Sequence, residues 1–357
     1  MHQFYKYLTV ILLLTAAVIG PVLFFIYKFS PQKRMSPGVS VPVSENGPVE
    51  ERYAPDETPE KTNPVRILAL GDIMLGRAVR TMYEQNGFGY LLEGASGLLE
   101  GNDFAWANLE GPVLYNAPLT PINGMRFAFA TSSLRVLKGA GIGLLNLANN
   151  HGLDQGRSGL TETKKILAEN SFVSMGDPAK IGPESLATTT VGELTLNFLG
   201  FNATWPTFKL DEAVGLVAQT KNLSAGPVLV MIHWGEEYES IHNLTQEKIG
   251  HALIDAGAEV VLGHHPHVVQ DIESYRDKFI FYSLGNLIFD QWFSRETQEG
   301  LAVRISILEN GFSYELLPYR SEKSAVLEMK GDEAGGWLKR YSEKSPLLKD
   351  KVSSGVL

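Results

Sequence analysis

Five short apolar runs, each stopping at a polar residue able to bind a metal, constrain this chain more than any other feature. Val65–Leu70 stops at Gly71-Asp72, Phe104–Ala107 at Asn108-Leu109-Glu110, and Ile142–Ala148 at Asn149-Asn150-His151. Val228–Ile232 stops at His233, and Val260–Leu262 at Gly263-His264-His265-Pro266-His267. Runs of this length and composition read as buried strands. Ser132–Ala140, Ser158–Asn170 and Thr245–Ala256 read as helices between them. Leu301–Leu308 turns at Asn310-Gly311 and returns through Phe312–Leu317, a hairpin by its turn chemistry. The alternation predicts an α/β body. In an open α/β sheet, ligands bind outside the carboxyl ends of the strands, so the five polar endings are expected to converge.

The rest of the chain organises itself around that body. Leu8–Tyr27 is a twenty-residue run without a charge, long enough as a helix to span a bilayer core of about 30 Å. No small-residue cleavage site follows it, so residues 1–30 are expected to be an uncleaved single-pass anchor. Lys6 precedes the run while Lys28, Lys33 and Arg34 follow it, so the positive-inside rule does not by itself favour an outside C-terminus. Residues 31–64 hold seven of the 18 prolines and almost no apolar periodicity, the composition of a flexible tether. The body is expected over 65–330, with a helix and a frayed end over 331–357.

Charge and cysteine content exclude several classes. The 357 residues carry 31 Lys+Arg against 40 Asp+Glu, a net charge of -9, and the only Lys, Arg, Asp or Glu in the first thirty residues are Lys6 and Lys28. The body is therefore acidic, which argues against a nucleic-acid partner. The absence of cysteine removes disulfides, thiolate zinc sites, iron–sulfur clusters and cysteine nucleophiles together.

Taken singly, the strand endings have ordinary explanations. Gly71-Asp72 fits a turn, Asn149-Asn150 is common turn chemistry, and a lone His233 would be a hydrogen-bonded structural histidine. His242 and His251 take that ordinary reading. The cluster His264, His265, His267 resists it, because three imidazoles in four residues are costly to place unless they bind something, and Pro266 stiffens their loop. Asp, Glu, Asn and His together form an oxygen and nitrogen donor set suited to Mn, Fe, Zn or Mg.

At these residues the chain resembles a known family. Gly71-Asp72-Ile73-Met74-Leu75-Gly76-Arg77, Asn108-Leu109-Glu110, Asn149-Asn150-His151 with Asp154 and Gly156, His233-Trp234-Gly235-Glu236-Glu237-Tyr238, Gly263-His264-His265-Pro266-His267 and Ser283-Leu284-Gly285-Asn286 occur in order. The set resembles the CapA family of poly-gamma-glutamate capsule synthesis proteins, which is similar in fold to the calcineurin-like metallophosphoesterases. The resemblance implies a layered-sheet α/β domain over about Val65 to Leu308, held outside the cell by its membrane anchor. It implies one or two divalent ions held by Asp72, Glu110, Asn150, His233, His265 and His267, with His151 as a candidate acid for a leaving group. Arg77, Asn108, Asn149, His264 and Glu237 are left as candidate substrate contacts, and Arg80, Arg126 and Arg157 as further rim cations. Two positions depart from the phosphoesterase pattern. Met74 stands where a histidine is usual, and Glu110 where an aspartate is. The resemblance implies three alternatives: a component of polymer synthesis or export within a membrane complex, with the polyanionic polymer as a candidate partner; a metal-dependent hydrolase of an envelope phosphoester or amide; or a scaffold with a vestigial site.

Overall fold

The computed structural model describes residues 64–357, so the expected membrane span Leu8–Tyr27 and nearly all of the tether over 31–64 lie outside the described residues. Among the described residues no helix is long and apolar enough to cross a membrane. The body opens with β1 (Val65–Ile73), α1 (Arg77–Asn86), α2 (Ser96–Leu99), β2 (Phe104–Leu109), and two-residue strands β3 (Val113–Leu114) and β4 (Phe129–Ala130). Next come α3 (Leu134–Lys138), β5 (Ile142–Asn146), α4 (Gly156–Glu169), β6 (Val173–Met175), β7 (Leu186–Val191), β8 (Leu194–Asn202) and α5 (Leu210–Leu223). They lead to β9 (Val228–His233), α6 (Leu244–Asp255), β10 (Val260–His264), β11 (Ile272–Tyr275), β12 (Lys278–Phe281) and β13 (Asn286–Ile288). The chain closes with β14 (Glu299–Leu308), β15 (Gly311–Glu322), β16 (Ala325–Glu328), α7 (Gly331–Ser342) and α8 (Lys349–Ser354).

These strands build two large sheets. The first runs β16-β15-β14-β1-β2-β5-β6 with β13 also beside β1, and the second runs β11-β12-β10-β9-β8-β7. β1, β2, β5 and β6 are parallel neighbours, as are β8, β9, β10 and β12. Parallel strands buried on both faces read as unbroken apolar runs, which is why these segments show no polar alternation.

The two-residue side-chain period sorts each strand between layers. Ile67, Ala69, Trp106 and Leu144 of the first sheet meet Phe198, Leu229, Met231, Val260 and Leu262 of the second in one core. Trp106 packs edge-on against Phe198, ring centroids 4.7 Å apart. The alternate residues Leu68, Leu70 and Leu145 pack outward with Val79 and Tyr83 of α1 and Leu160 and Ile166 of α4. On the other side, Val228, Val230 and Ile232 pack outward with Val217 of α5 and Leu253 of α6. The architecture is therefore four layers, with two facing sheets between outer layers of helix.

The end of the chain does not fray as expected. Trp337, Leu338 and Tyr341 of α7 and Val352 of α8 are buried in the inter-sheet core, with Trp337 stacked on Tyr341. Leu357 and Tyr314 exchange two backbone hydrogen bonds of 2.9 and 3.1 Å. The apolar stripe made by i, i+1 and i+4 positions anchors the tail, and the backbone pairing completes it.

Two glycines bring the sheets together at the end that matters here. A Cβ on Gly71 would lie 2.1 Å from the Gly285 carbonyl oxygen, and one on Gly263 would lie 2.0 Å from that of Tyr282. The segment Ser283–Asn286 passes between the sheets, accepting a hydrogen bond from Asp72 N at Gly285 O and donating one from Leu284 N to Gly263 O. The residues directly after those glycines are Asp72 and His264.

Candidate metal centre

The carboxyl ends of β1, β2, β5, β9 and β10 meet at one edge of the two sheets, and their polar residues are buried there except for half-buried Asn150. Asp72 is fully buried. Its Oδ1 accepts from Asn108 Nδ2 (2.8 Å) and His264 Nδ1 (2.9 Å), and its Oδ2 from the His265 backbone N–H (3.2 Å). Burial alone raises such a carboxyl. The charge and hydrogen bond of His264, with His267 beside it, outweigh burial and hold Asp72 well below the usual carboxylate range.

Asn108 organises the amides around Asp72. Its Oδ1 accepts from Asn146 Nδ2 (3.0 Å) and Asn149 Nδ2 (3.1 Å), while its Nδ2 also faces His233 Nδ1 at 3.3 Å. With Nδ1 of His233 accepting, its Nε2–H donates to Asn150 Oδ1 at 2.9 Å. Burial lowers the His233 imidazole well below its ordinary value, so the neutral ring is favoured.

Glu110 differs from Asp72 in having no donor. It is fully buried, and neither carboxylate oxygen has a hydrogen-bond partner. Burial pushes it up to about 7, with His267 opposing the rise and Asp72 adding to it. His267 Nε2 and His151 Nε2 stand 3.7 and 3.9 Å from its Oε1. His267 Nδ1 meets Asn286 Oδ1 at 3.0 Å. Burial would lower this imidazole, but Glu110 and Asp72 raise it to about 9.

Two more nitrogen atoms are left without partners. His264 donates through Nδ1 to Asp72, and its buried Nε2 meets no protein group. His265 Nδ1 is likewise buried and unpaired, and burial lowers that imidazole to about 4. The loop holding these rings is strained, since His265 (φ 97°) and His267 (φ 59°) are non-glycine residues at positive φ. Such residues cost roughly 1–3 kcal/mol each and persist where the surroundings over-determine them.

The donor atoms form two groups, Asp72–Glu110–His233 and Glu237–His265–His267, each with ligand atoms within 4.8 Å of one another. Orphaned, buried oxygen and nitrogen atoms without sulfur suit a divalent cation, which would give Glu110 the partner it lacks. At the cavity edge, His151 is stacked on Phe127, ring centroids 4.1 Å apart, and its Nδ1 bonds Asp154 Oδ2 at 2.8 Å. The same oxygen accepts from Phe127 N at 2.6 Å, tying the β3–β4 connection to the histidine. Arg77 pairs with Asp290. Met74 is buried in the outer core of the first sheet, and its Sδ accepts from Gly76 N at 3.1 Å.

All of the strand-end candidates thus lie at one edge, with Asn149 and Asn108 directed into the hydrogen-bond network. Three members carry no role in the sequence reading. Asn146 is hidden inside the apolar run Ile142–Ala148, Asn286 stands in its motif without a function, and Asp154 has the same standing beside His151. The signal for Asn146 is a lone amide in an otherwise apolar buried strand, since such a group requires partners.

Comparison with known proteins follows the same residues. The family model described as "Bacterial capsule synthesis protein PGA_cap" matches residues 66–291. The chain is 31% identical over 267 residues to the capsule biosynthesis protein CapA of Bacillus anthracis, covering 68% of this chain and 64% of that protein. It is 30% identical over 310 residues to the PGA biosynthesis protein CapA of Bacillus subtilis (strain 168), covering 81% and 80%. The chain therefore spans just under two thirds of the first relative's length. Among solved structures, a hypothetical protein from Thermus thermophilus is similar at 18% identity and TM-score 0.48, over 74% of this chain and 99% of that one. Purple acid phosphatase PPD1 from yellow lupin is similar at 9% identity and TM-score 0.36, over 75% and 53%.

Proposed function

Because the chain belongs to the bacterial capsule synthesis family PGA_cap, we propose that it serves in making an extracellular poly-gamma-glutamate capsule, as a membrane-anchored body with a hydrolytic divalent-metal site. One observation carries the metal site: Glu110 Oε1 and Oε2 and His265 Nδ1 are buried with no protein partner, and each residue belongs to one of the two donor groups at the strand ends. Asp72, Glu110, Asn150, His233, His265 and His267 would hold the ion, with Glu237 at the rim. Bound there, a divalent ion supplies polarisation of a phosphoryl or carbonyl oxygen and activation of a water.

The chain's own residues supply the rest. Asn108 and His264 hold the Asp72 carboxylate in one orientation. Asp154 fixes the ring of His151 and holds its Nδ1–H, so in the imidazolium form the second proton sits on Nε2, facing the cavity, from which it would pass to a leaving group and leave the neutral Nδ1–H ring. Such transfer is worth roughly 10²–10⁴ in rate. A scaffold with a structural ion is the second reading, favoured by Met74, whose thioether is committed to the core and to Gly76 N–H rather than to the site.

Polymer output in cells carrying His151→Asn, with metal content measured on the same protein, separates these readings. Lost polymer with normal metal supports catalysis, and normal polymer with normal metal removes it. The anchor is tested separately. Protease added to intact cells should release a soluble fragment cut within residues 31–64, and full protection would overturn the exterior placement.

A further inference from the structure

A cavity of about 380 Å³ adjoins the metal centre, and both His151 and His267 line it, so an occupant would touch the site directly. Four large apolar or aromatic side chains of its lining are exposed. Ile122 and Met125 of the β3–β4 connection line it together with Tyr238 and Phe293, and Tyr238 packs edge-on against Phe293 at 5.3 Å. These four side chains are 69%, 63%, 45% and 67% exposed, which is unusual for large apolar groups gathered at one opening. Its charges are unsuited to a polyanion. Arg77 is the only Lys or Arg in the lining, and its guanidinium pairs with Asp290 and lies 5.0 Å over Phe127 and 5.5 Å over Phe289. Glu237, the other carboxylate of the lining besides Asp290, belongs to the donor group with His265 and His267.

We propose that this cavity is a subsite for the apolar substituent of a ligand whose anionic group is held at the metal centre. The inference rests on the hydrolytic reading of that centre and deepens it. The ligand class is a phosphoryl or tetrahedral oxyanion carrying an apolar or aromatic group, and with Arg77 paired to Asp290 the lining offers no free lysine or arginine to the side-chain carboxylates of a bare glutamate polymer. Ile122, Met125, Tyr238 and Phe293 then determine specificity, and the ordered β3–β4 connection, fastened to Asp154, sets the width of the opening.

The test is calorimetric titration of the full-length, metal-loaded protein with methylphosphonate, benzylphosphonate and a tetraglutamate peptide. Benzylphosphonate should bind at least about tenfold tighter than methylphosphonate, because the phenyl ring buries apolar area in the cavity. Met125→Ser/Phe293→Ser should reduce that preference to under about threefold, with metal content unchanged, since both side chains are largely exposed and contribute little to folding. Equal affinity for the two phosphonates, a preference untouched by the double substitution, or tetraglutamate binding as tightly as benzylphosphonate would each overturn the subsite and leave the metal centre standing. Binding of neither phosphonate to protein that retains its metal would overturn the hydrolytic reading, and the subsite with it.

Discussion

The histidines on and beside the second sheet occupy two regions that treat the same side chain in opposite ways. At the ends of β9 and β10, His233, His264, His265 and His267 are buried, and two of them keep ring nitrogens with no partner. Beside α6 and β11, His242 bonds Asp271 through Nδ1 at 2.8 Å and stacks on Tyr282 at 3.7 Å. His251 bonds Glu273 through Nε2 at 2.8 Å and stacks on Tyr275 at 3.8 Å. The second pair is placed as structural histidines are, each with a carboxylate and an aromatic face. In the first group His233, His265 and His267 belong to the two close sets of possible metal-ligand atoms. Unpaired buried polar atoms are few, and here those of Glu110 and His265 fall on residues that also form two close groups of ligand atoms, so the contrast marks where a ligand belongs.

The largest effect should come from removing the carboxylate that organises the first region. Asp72→Ala leaves His264 Nδ1 and the His265 N–H buried without an acceptor, and Asn108 Nδ2 with only His233 Nδ1. It should cost about 3–5 kcal/mol in denaturant unfolding and abolish metal binding. A midpoint close to that of the unsubstituted protein would mean that the network around Asp72 contributes little.

Metal addition comes next. Mn²⁺ at a hundredfold excess over its Kd should add about 2.7 kcal/mol to stability, read as a rise in Tm of the chelator-treated protein. Glu110→Gln should remove most of that rise while changing metal-free stability by no more than about 1 kcal/mol, because the carboxylate has no hydrogen bond to lose. A large loss of metal-free stability would show that Glu110 has a structural partner.

Elemental analysis tests the contrast itself. His233→Ala and His265→Ala should each lose bound divalent metal while remaining folded, and His251→Ala should retain it. Equal metal content in all three variants would erase the distinction between the two regions.

The smallest effect is a pH dependence in the second region. Burial by itself lowers His242, but its bond to Asp271 and the nearby charges of Asp271, Glu273 and Glu247 raise it above the ordinary histidine value. A raised value means that the folded state binds the proton more tightly than the unfolded chain. The stabilisation is therefore fully present below the unfolded value near pH 6.5 and is lost as pH rises through the folded one. His242→Gln should lower Tm by roughly 1–2 °C at pH 6, allowing for partial solvent screening, and the gap should close as pH rises. A gap that widens with pH would reverse the sign assigned to the Asp271 pair.

Much of the candidate site was readable because strand endings are local. Asp72, Glu110, His233 and the His264–His267 cluster follow apolar runs whose length and composition mark them as buried strands. Asn146 was not readable, because an amide inside such a run looks like part of it until its partner Asn108 is known. The tail was misread for a related reason. Trp337 and Tyr341 declare an apolar stripe, but its partner is the inter-sheet core assembled from strands far away in the chain.

By itself the sequence determined the α/β alternation, the order of the strand endings and the sulfur-free donor chemistry, since each depends on residues within a few positions of one another. Only the tertiary structure decided which of the endings belong to which of the two facing sheets. It also decided which imidazole nitrogens are left without partners. Asp72 and His264 are 192 positions apart, and their contact depends on the stacking of β1 against β10, with Gly71 and Gly263 clearing the backbone between. No local period encodes that stacking. It is set by the burial of Trp106, Phe198, Leu229 and their neighbours between the sheets, a free-energy gain that exists only once both sheets have formed.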